Sequence, residues 1–234
     1  MLNFCSYASS SSGNMYSIDD SKTKLILEPG LPISKIKRRL GFKLSEYSGA
    51  LCTHLHKDHS QGAKGMVESC IDLWTSKETI EAVGLSDHHR VHEIKPMDTF
   101  TIGTWKIKAF DTIHDCEGCL GFYMVNSLNE GLLFATDTAY IKYRFNNLHT
   151  IAIGCNFDID LLNSNIESGI VDRAAKSRIM HSHASLETIK DMLMANDLSK
   201  VKEIFLLHLS DRNSSAADFK RQIQEITGVE VHVA

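Results

Sequence analysis

The sequence GALCTHLHKDHSQG occupies residues 49–62 and carries three histidines and one aspartate within positions 54–59. It begins with the apolar run 50–53, which predicts a buried strand. In an extended segment alternate side chains share a face, so His54 and His56 can point at one metal ion. Where the chain then turns toward a helix, Asp58 and His59 can point at a second ion.

These ligand types indicate the chemistry of the site. Imidazole and carboxylate together suit zinc, manganese or iron(II), and two adjacent sets indicate a two-metal hydrolytic centre. The alternative is a histidine-rich surface loop. The HxHxDH spacing at the end of a predicted strand favours the metal site, because loops that follow strands carry much of the chemistry of proteins.

Length and composition fit one soluble globular domain over residues 1–234. The chain is long enough for a sizeable core, and 43% hydrophobic with 23% charged residues is ordinary for such a protein. Neither a membrane span nor a secretory leader is visible, so we expect a cytoplasmic location. The six cysteines are scattered and are expected to be reduced. With a net charge of −4, a nucleic-acid partner requires a local basic patch.

Further candidate ligands follow other predicted elements. His114 comes directly after a predicted strand at 106–112, and Asp137 directly after one at 132–136. His183 and His208 stand in the short repeats HAS and HLS, where the chain leaves one element before a helix begins. Each of these residues alone has a structural alternative, but their shared position favours one common edge.

Three other segments have competing interpretations. The turn SSSSGN at 9–14 can expose backbone N–H groups to an anion, although a plain turn is the commoner outcome. A predicted helix at 32–40 carries four basic residues, which form either a solvated face or a phosphate contact. We interpret His88, His89 and His92 as exposed residues, and CEGC at 116–119 as a turn with two thiols, because a structural zinc site would need a second pair.

In order, SSSSGN, THLHKDH, TIHD, ATDTAY, SHAS and LLHLS cover nearly the whole chain. This set resembles the YycJ (WalJ) group of metallo-β-lactamase-fold proteins, which is related to RNase Z and includes 5′-to-3′ DNA exonucleases. The resemblance implies an α/β fold, namely a four-layer αββα sandwich with its metals at one edge of the two sheets.

The resemblance also implies roles for individual residues and two divalent ions, zinc or manganese. The first ion would be held by His54, His56 and His114. The second would be held by Asp58, His59 and His208, with Asp137 bridging both ions. His183 would act near the leaving group without binding metal, and it is predicted to be catalytic together with Asp58.

The sequence departs from the family pattern at two places. Glu28 stands where a strand of the family commonly ends in aspartate, and Gly154-Cys155-Asn156 lacks the acidic residue that tends to precede the asparagine. An acid that orients His183 is therefore missing from the expected position.

The resemblance favours a metal-dependent phosphodiester hydrolase, specifically a nuclease that uses a hydroxide shared by two metal ions. DNA is the favoured substrate. A small-molecule phosphodiesterase, or less favourably a lactam or thioester hydrolase, is the alternative, and a structural metal scaffold is a third hypothesis. The sequence leaves the oligomeric state open, with a homodimer as one alternative.

Overall fold

The computed structural model describes residues 2–234, and its contacts divide the chain into two compact units. The first unit extends to Asp111 and also contains Cys116–Glu130, whereas the second contains Thr112–Asp115 and Gly131–Ala234. The prediction of one domain over residues 1–234 stays a prediction.

A six-stranded sheet dominates the first unit. Its strands are β1 (Asn3–Ala8), β2 (Met15–Asp19), β3 (Lys24–Leu27), β4 (Tyr47–Leu51), β5 (Leu73–Thr75) and β6 (Val91–Glu93). They lie side by side in chain order, antiparallel from β1 to β3 and parallel from β3 to β6. The sequence predicts a buried strand at 50–53, whereas β4 begins at Tyr47 and ends at Leu51.

The helices of this unit lie in the connections between its strands. They are α1 (Ile33–Arg39), a 3₁₀ turn (Leu44–Glu46), α2 (Lys57–Ser60), α3 (Ala63–Glu68) and α4 (Lys77–Ala82). Apolar residues of α1 and α3, among them Ile36 and Met66, pack with Ile26 and Ala50 of the sheet in one buried cluster. Burial of such side chains stabilises the sheet by roughly 1.5 to 3 kcal/mol each.

Three further strands complete the first unit. They are β7 (Thr99–Ile102), β8 (Trp105–Asp111) and β9 (Leu120–Val125), all antiparallel. Along β8 buried and exposed residues alternate from Trp105 to Ala109, as expected for a strand with one face on a core.

Parallel strands form the centre of the second unit. They are β10 (Gly131–Ala135), β11 (Leu148–Gly154), β12 (Glu203–Leu207) and β13 (Glu230–Val233). The helices are α5 (Ile159–Glu167), α6 (Arg173–Ser182), α7 (Leu186–Met194) and α8 (Ala216–Thr227). All five residues of β10 are buried, which explains why it appears in the sequence as an unbroken apolar run.

The predicted helix caps have different outcomes. The sequence TSKE at 75–78 predicts a capping box that begins at Thr75, but the side chain that caps α4 is that of Ser76, which accepts the backbone N–H of Thr79. Ser185 is predicted to cap α7, and it does so by accepting the backbone N–H of Thr188. The predicted cap at Ser215 is wrong, because its side chain makes no capping bond. Its expected partner Asp218 instead pairs with Arg221 on the same helix.

Within residues 2–234, no helix combines the length and apolar character needed to cross a membrane.

A close backbone approach at Gly30 positions the metal motif. The N–H of Gly30 donates to the carbonyl of Asn14 at 2.9 Å. A Cβ atom at this position would lie 1.8 Å from the carbonyl oxygen of Asp58. Only glycine therefore allows these three backbone segments to meet.

We expect Gly30→Ala to lower the free energy of unfolding by about 1 to 3 kcal/mol, through overpacking, and to weaken metal binding by displacing Asp58. Denaturant unfolding and metal titration measure the two effects. Gly84→Ala is the control, since Gly84 has φ 69° and open space around it and so tests backbone strain alone. Equal metal binding by both variants would contradict the positioning role.

Candidate metal centre

His54 and His56 converge at the end of β4. The His54 side chain is buried, and its Nδ1 lies 2.8 Å from the hydroxyl of Thr53, which fixes the ring. Its other nitrogen, Nε2, lies 3.2 Å from Nδ1 of His56. Alternation along the extended segment therefore brings two imidazole nitrogens together, as the sequence predicted.

Asp58 and His59 lie on α2, immediately after this pair. His59 is fully buried, and its Nε2 is 3.3 Å from a carboxylate oxygen of Asp58. The rings of His54 and His59 have centroids 4.1 Å apart. The four predicted ligands of the first unit thus form one compact group of imidazoles and a carboxylate. This donor set fits a divalent cation such as zinc or manganese.

Glu28 supports this group from behind. It is fully buried directly after β3, where it adopts a left-handed backbone with φ 59°. Its Oε2 accepts the backbone N–H of Thr53 at 3.3 Å and lies 3.5 Å from Nδ1 of His59. A carboxylate behind a ligating imidazole orients the ring and raises its basicity. The longer acid found in place of aspartate therefore reaches the metal motif in this chain.

Asn14 is a site residue that the sequence analysis missed. Its Nδ2 lies 3.1 Å from Nε2 of His59 and 3.3 Å from a carboxylate oxygen of Asp58. Its backbone N–H donates to the carbonyl of Asp58 at 2.8 Å, and its Oδ1 accepts from the hydroxyl of Tyr16. The only sequence signal was its place at the end of the SSSSGN turn.

In the second unit, His114, Asp137 and His183 each offer a donor atom within 4.8 Å of the others. Nδ1 of His114 lies 2.7 Å from the carbonyl of Ser182, which assigns the ring proton to this nitrogen. Nε2 is thereby left to face two carboxylates, that of Asp115 at 3.1 Å and that of Asp137 at 3.9 Å. The position of His183 in this group allows a ligand role as well as the predicted non-ligand role.

Asn156 connects His208 to the same carboxylate. Its Nδ2 donates to the carbonyl of His208 at 2.9 Å and lies 3.5 Å from Oδ1 of Asp137. Nδ1 of His208 is 3.7 Å from that oxygen. His208 has φ 52°, a left-handed conformation that is uncommon for a residue other than glycine.

The acid absent before Asn156 has no substitute at that position. Cys155 is fully buried, and burial raises the pKa of its thiol, so it stays neutral.

Burial also lowers the pKa of His183 to about 4, although the nearby carboxylate of Asp137 opposes this shift. His183 is therefore neutral at pH 7, with its Nδ1 2.7 Å from the hydroxyl of Ser182.

Each unit thus brings its own predicted residues together. The first contains His54, His56, Asp58 and His59, and the second contains His114, Asp137, His183 and His208. The assignment of these residues to two ions stays a prediction.

The three histidines interpreted as exposed differ from one another. His89 is exposed, whereas His88 and His92 are half-buried. Nε2 of His92 lies 3.0 Å from Asp72, and its ring stacks on Trp74. Within residues 2–234, none of the three belongs to a group of potential metal ligands. A structural role therefore accounts for His92.

We expect Glu28→Gln to lower metal affinity about 10- to 100-fold, because the neutral amide no longer raises the basicity of His59. Competition with a chelator, followed by metal analysis, measures this change. Glu46→Gln is the matched control, since Glu46 pairs with Lys24 at the surface of the same unit. Unchanged affinity in Glu28→Gln would show that this carboxylate does not support the metal site.

The sequence of this chain is similar to known proteins. Residues 28–209 match the family model of the β-lactamase superfamily domain. Exodeoxyribonuclease WalJ of Streptococcus pneumoniae serotype 2 (strain D39) is 28% identical over 223 residues, which cover 88% of this chain and 81% of WalJ. Exodeoxyribonuclease YycJ of Bacillus anthracis is 26% identical over 231 residues, covering 91% of this chain and 84% of YycJ.

A solved structure gives the same fold. The metallo-β-lactamase fold protein YhfI from Bacillus subtilis superposes with a TM-score of 0.74 at 14% identity, covering 100% of this chain and 96% of YhfI. At this identity the likeness concerns the fold alone. It confirms the predicted fold class, and the family match confirms the predicted resemblance. The chain therefore belongs to the β-lactamase superfamily, as a metallo-hydrolase of the metallo-β-lactamase fold.

Proposed function

We propose that this protein is a metal-dependent phosphodiester hydrolase that acts as a nuclease, with DNA as its favoured substrate. The observation that carries the proposal is the pair of ligand groups, one in each unit, at the positions that the family resemblance implies. The exonuclease names of WalJ and YycJ support the choice of a nucleic acid.

In this proposal the residues hold two divalent ions, zinc or manganese. His54, His56 and His114 bind the first ion, whereas Asp58, His59 and His208 bind the second, and Asp137 contributes to both. When bound, such ions act as Lewis acids and lower the pKa of water toward neutrality. Glu28 and Asn14 orient the ligands of the first unit, and Asn156 performs the same task for His208.

His183 has a separate role as the group nearest the leaving oxygen. Because burial keeps its imidazole neutral at pH 7, its role in this proposal is to donate an N–H hydrogen bond to the departing oxygen as negative charge develops there. The hydroxyl of Ser182 at Nδ1 fixes the orientation of the ring.

A basic cavity in the first unit supports a phosphate-rich substrate. Lys35, Arg38 and Arg39 line a concave space of about 400 Å³, together with Ser12 and Gly13 of the SSSSGN turn. All three basic side chains are exposed, which suits contact with a solvated phosphodiester backbone.

The cavity is also connected to the ligands of the same unit. The turn that lines it ends at Asn14, which contacts Asp58 and His59 directly. A phosphate held in the cavity would therefore lie against the segment that positions the metal motif. The predicted helix of four basic residues thus has a phosphate-binding role in this proposal, and Lys37 is the one that does not line the cavity.

A small phosphodiester is the second candidate, because the chemistry that two metal ions supply acts on any phosphodiester that reaches them. A polynucleotide and a small diester differ, however, in how strongly their turnover depends on exposed basic side chains and on salt.

The first prediction here concerns the metal ligands of the second unit. We expect Asp137→Ala to bind at most one ion per chain and His208→Ala to lose one ion. His183→Ala should keep both ions and lose turnover. Metal content by mass spectrometry and the rate of DNA cleavage measure these effects, with exposed Asp160→Ala as control. Two ions and full activity in Asp137→Ala would contradict the assignment, and metal loss confined to His183→Ala would reverse the two histidine roles.

The second prediction concerns the substrate. Reversing the charge of Lys35, Arg38 and Arg39 to Glu should abolish most cleavage of end-labelled DNA and leave a chromogenic phosphodiester unaffected. Each lost phosphate contact should reduce the salt slope of binding by roughly 0.7 to 0.9, so the total change is about 2 to 3. Binding and cleavage are measured across a salt series.

The control reverses three exposed lysines that do not line the cavity, Lys22, Lys106 and Lys108, and therefore changes the net charge equally. An equal effect of both triple variants would indicate a nonspecific charge effect. Absence of polynucleotide cleavage by the unmodified protein, with manganese or zinc supplied, would favour the small-molecule hydrolase.

A further inference from the structure

Two cysteines lie in the loop between β8 and β9. Cys116 is half-buried and Cys119 is buried, and their sulfur atoms are 2.8 Å apart. The thiol of Cys119 donates to the carbonyl oxygen of Cys116 at 3.1 Å. The pair therefore belongs to one tight turn, as the sequence predicted, and both residues are thiols and not a disulfide.

The loop is fastened beside the metal motif. The N–H of Leu120, the residue after the pair, donates to the carbonyl of Thr53 at 2.9 Å. Thr53 directly precedes His54. The end of the cysteine loop and the start of the histidine pair are thus joined by a backbone hydrogen bond, which fixes the distance between them.

A second contact holds the middle of the same loop. Gly118 has φ 71°, and a Cβ atom there would lie 2.2 Å from Oε2 of Glu78 and 2.7 Å from the hydroxyl of Ser76, at the beginning of α4. The loop therefore packs closely on a helix of its own unit. A loop held at both places can present a side chain with little loss of conformational entropy on binding.

One of the two sulfur atoms reaches the histidines. The sulfur of Cys116 and one ring nitrogen each of His54 and His56 all lie within 4.8 Å of one another. Cys119 is not part of this group, and its thiol bonds to the loop backbone.

We infer that Cys116 supplies a thiolate ligand to the metal ion held by His54 and His56. The inference rests on the proposed metal site and adds a sulfur donor that the family resemblance did not imply. On binding, the S–H bond of Cys116 breaks, its proton passes to solvent and a sulfur–metal bond forms. Imidazole and thiolate together select zinc or cobalt(II), whereas a site of imidazole and carboxylate also accommodates manganese. Cys116 thereby biases this ion toward zinc.

Cobalt(II) is the probe, because a thiolate bound to it gives an intense charge-transfer band in the near ultraviolet, whereas imidazole and carboxylate do not. The protein is stripped of metal with a chelator under argon, loaded with cobalt(II) and examined by absorption spectroscopy, with bound cobalt measured by mass spectrometry. Cys116→Ser removes the sulfur, and Cys119→Ser is the matched control from the same turn.

We expect the band in the unmodified protein and in Cys119→Ser, and its loss in Cys116→Ser together with a weaker preference for zinc over manganese in competition. Bound cobalt without the band in the unmodified protein would overturn the thiolate ligand and leave the metal site intact. Retention of the band in Cys116→Ser would also overturn the assignment of Cys116 as the thiolate ligand. Failure of the unmodified protein to bind cobalt at all would overturn the proposed metal site itself. Circular dichroism of both variants establishes that they are folded.

Discussion

A buried carboxylate behind the HxHxDH segment is the interaction on which the rest of the first ligand group depends. Glu28 accepts the backbone N–H of Thr53 and lies 3.5 Å from Nδ1 of His59, with no exposed surface of its own. An isolated charge in such a place would be strongly destabilising, so its neighbours must compensate it. A metal ion held by His59 and its neighbours would supply a counter-charge, which would couple folding of this segment to metal binding.

Local patterns predicted much of this organisation. Three features are each encoded in a few neighbouring residues, namely the alternation at His54 and His56, the apolar run of β10 and the cap at Ser185. The predicted cap at Ser215 does not form, and the reason lies outside the local pattern. Its partner has a better electrostatic contact one turn further along α8, and a pattern of four residues does not contain that competitor.

What the sequence could not predict depends on contacts between distant segments. Asn14 contacts His59 across 45 residues, and Gly30 is required because two other backbones approach it. The position of Cys116 beside His54 depends on the pairing of Leu120 with Thr53, which no motif records. In each case the role of the residue depends on contacts with segments that are distant in sequence, and these contacts exist only in the folded chain.

The central claim is that the two predicted ligand sets, one containing His54 and His56 and the other containing Asp58 and His59, bind divalent metal ions. Anomalous diffraction from crystals of the zinc-loaded protein, recorded on both sides of the zinc absorption edge, tests it most directly. The account predicts two peaks, each within about 2.0 to 2.3 Å of donor atoms, one at His54 and His56 and one at Asp58 and His59. Peaks elsewhere in the molecule, with none at these four residues, would contradict it.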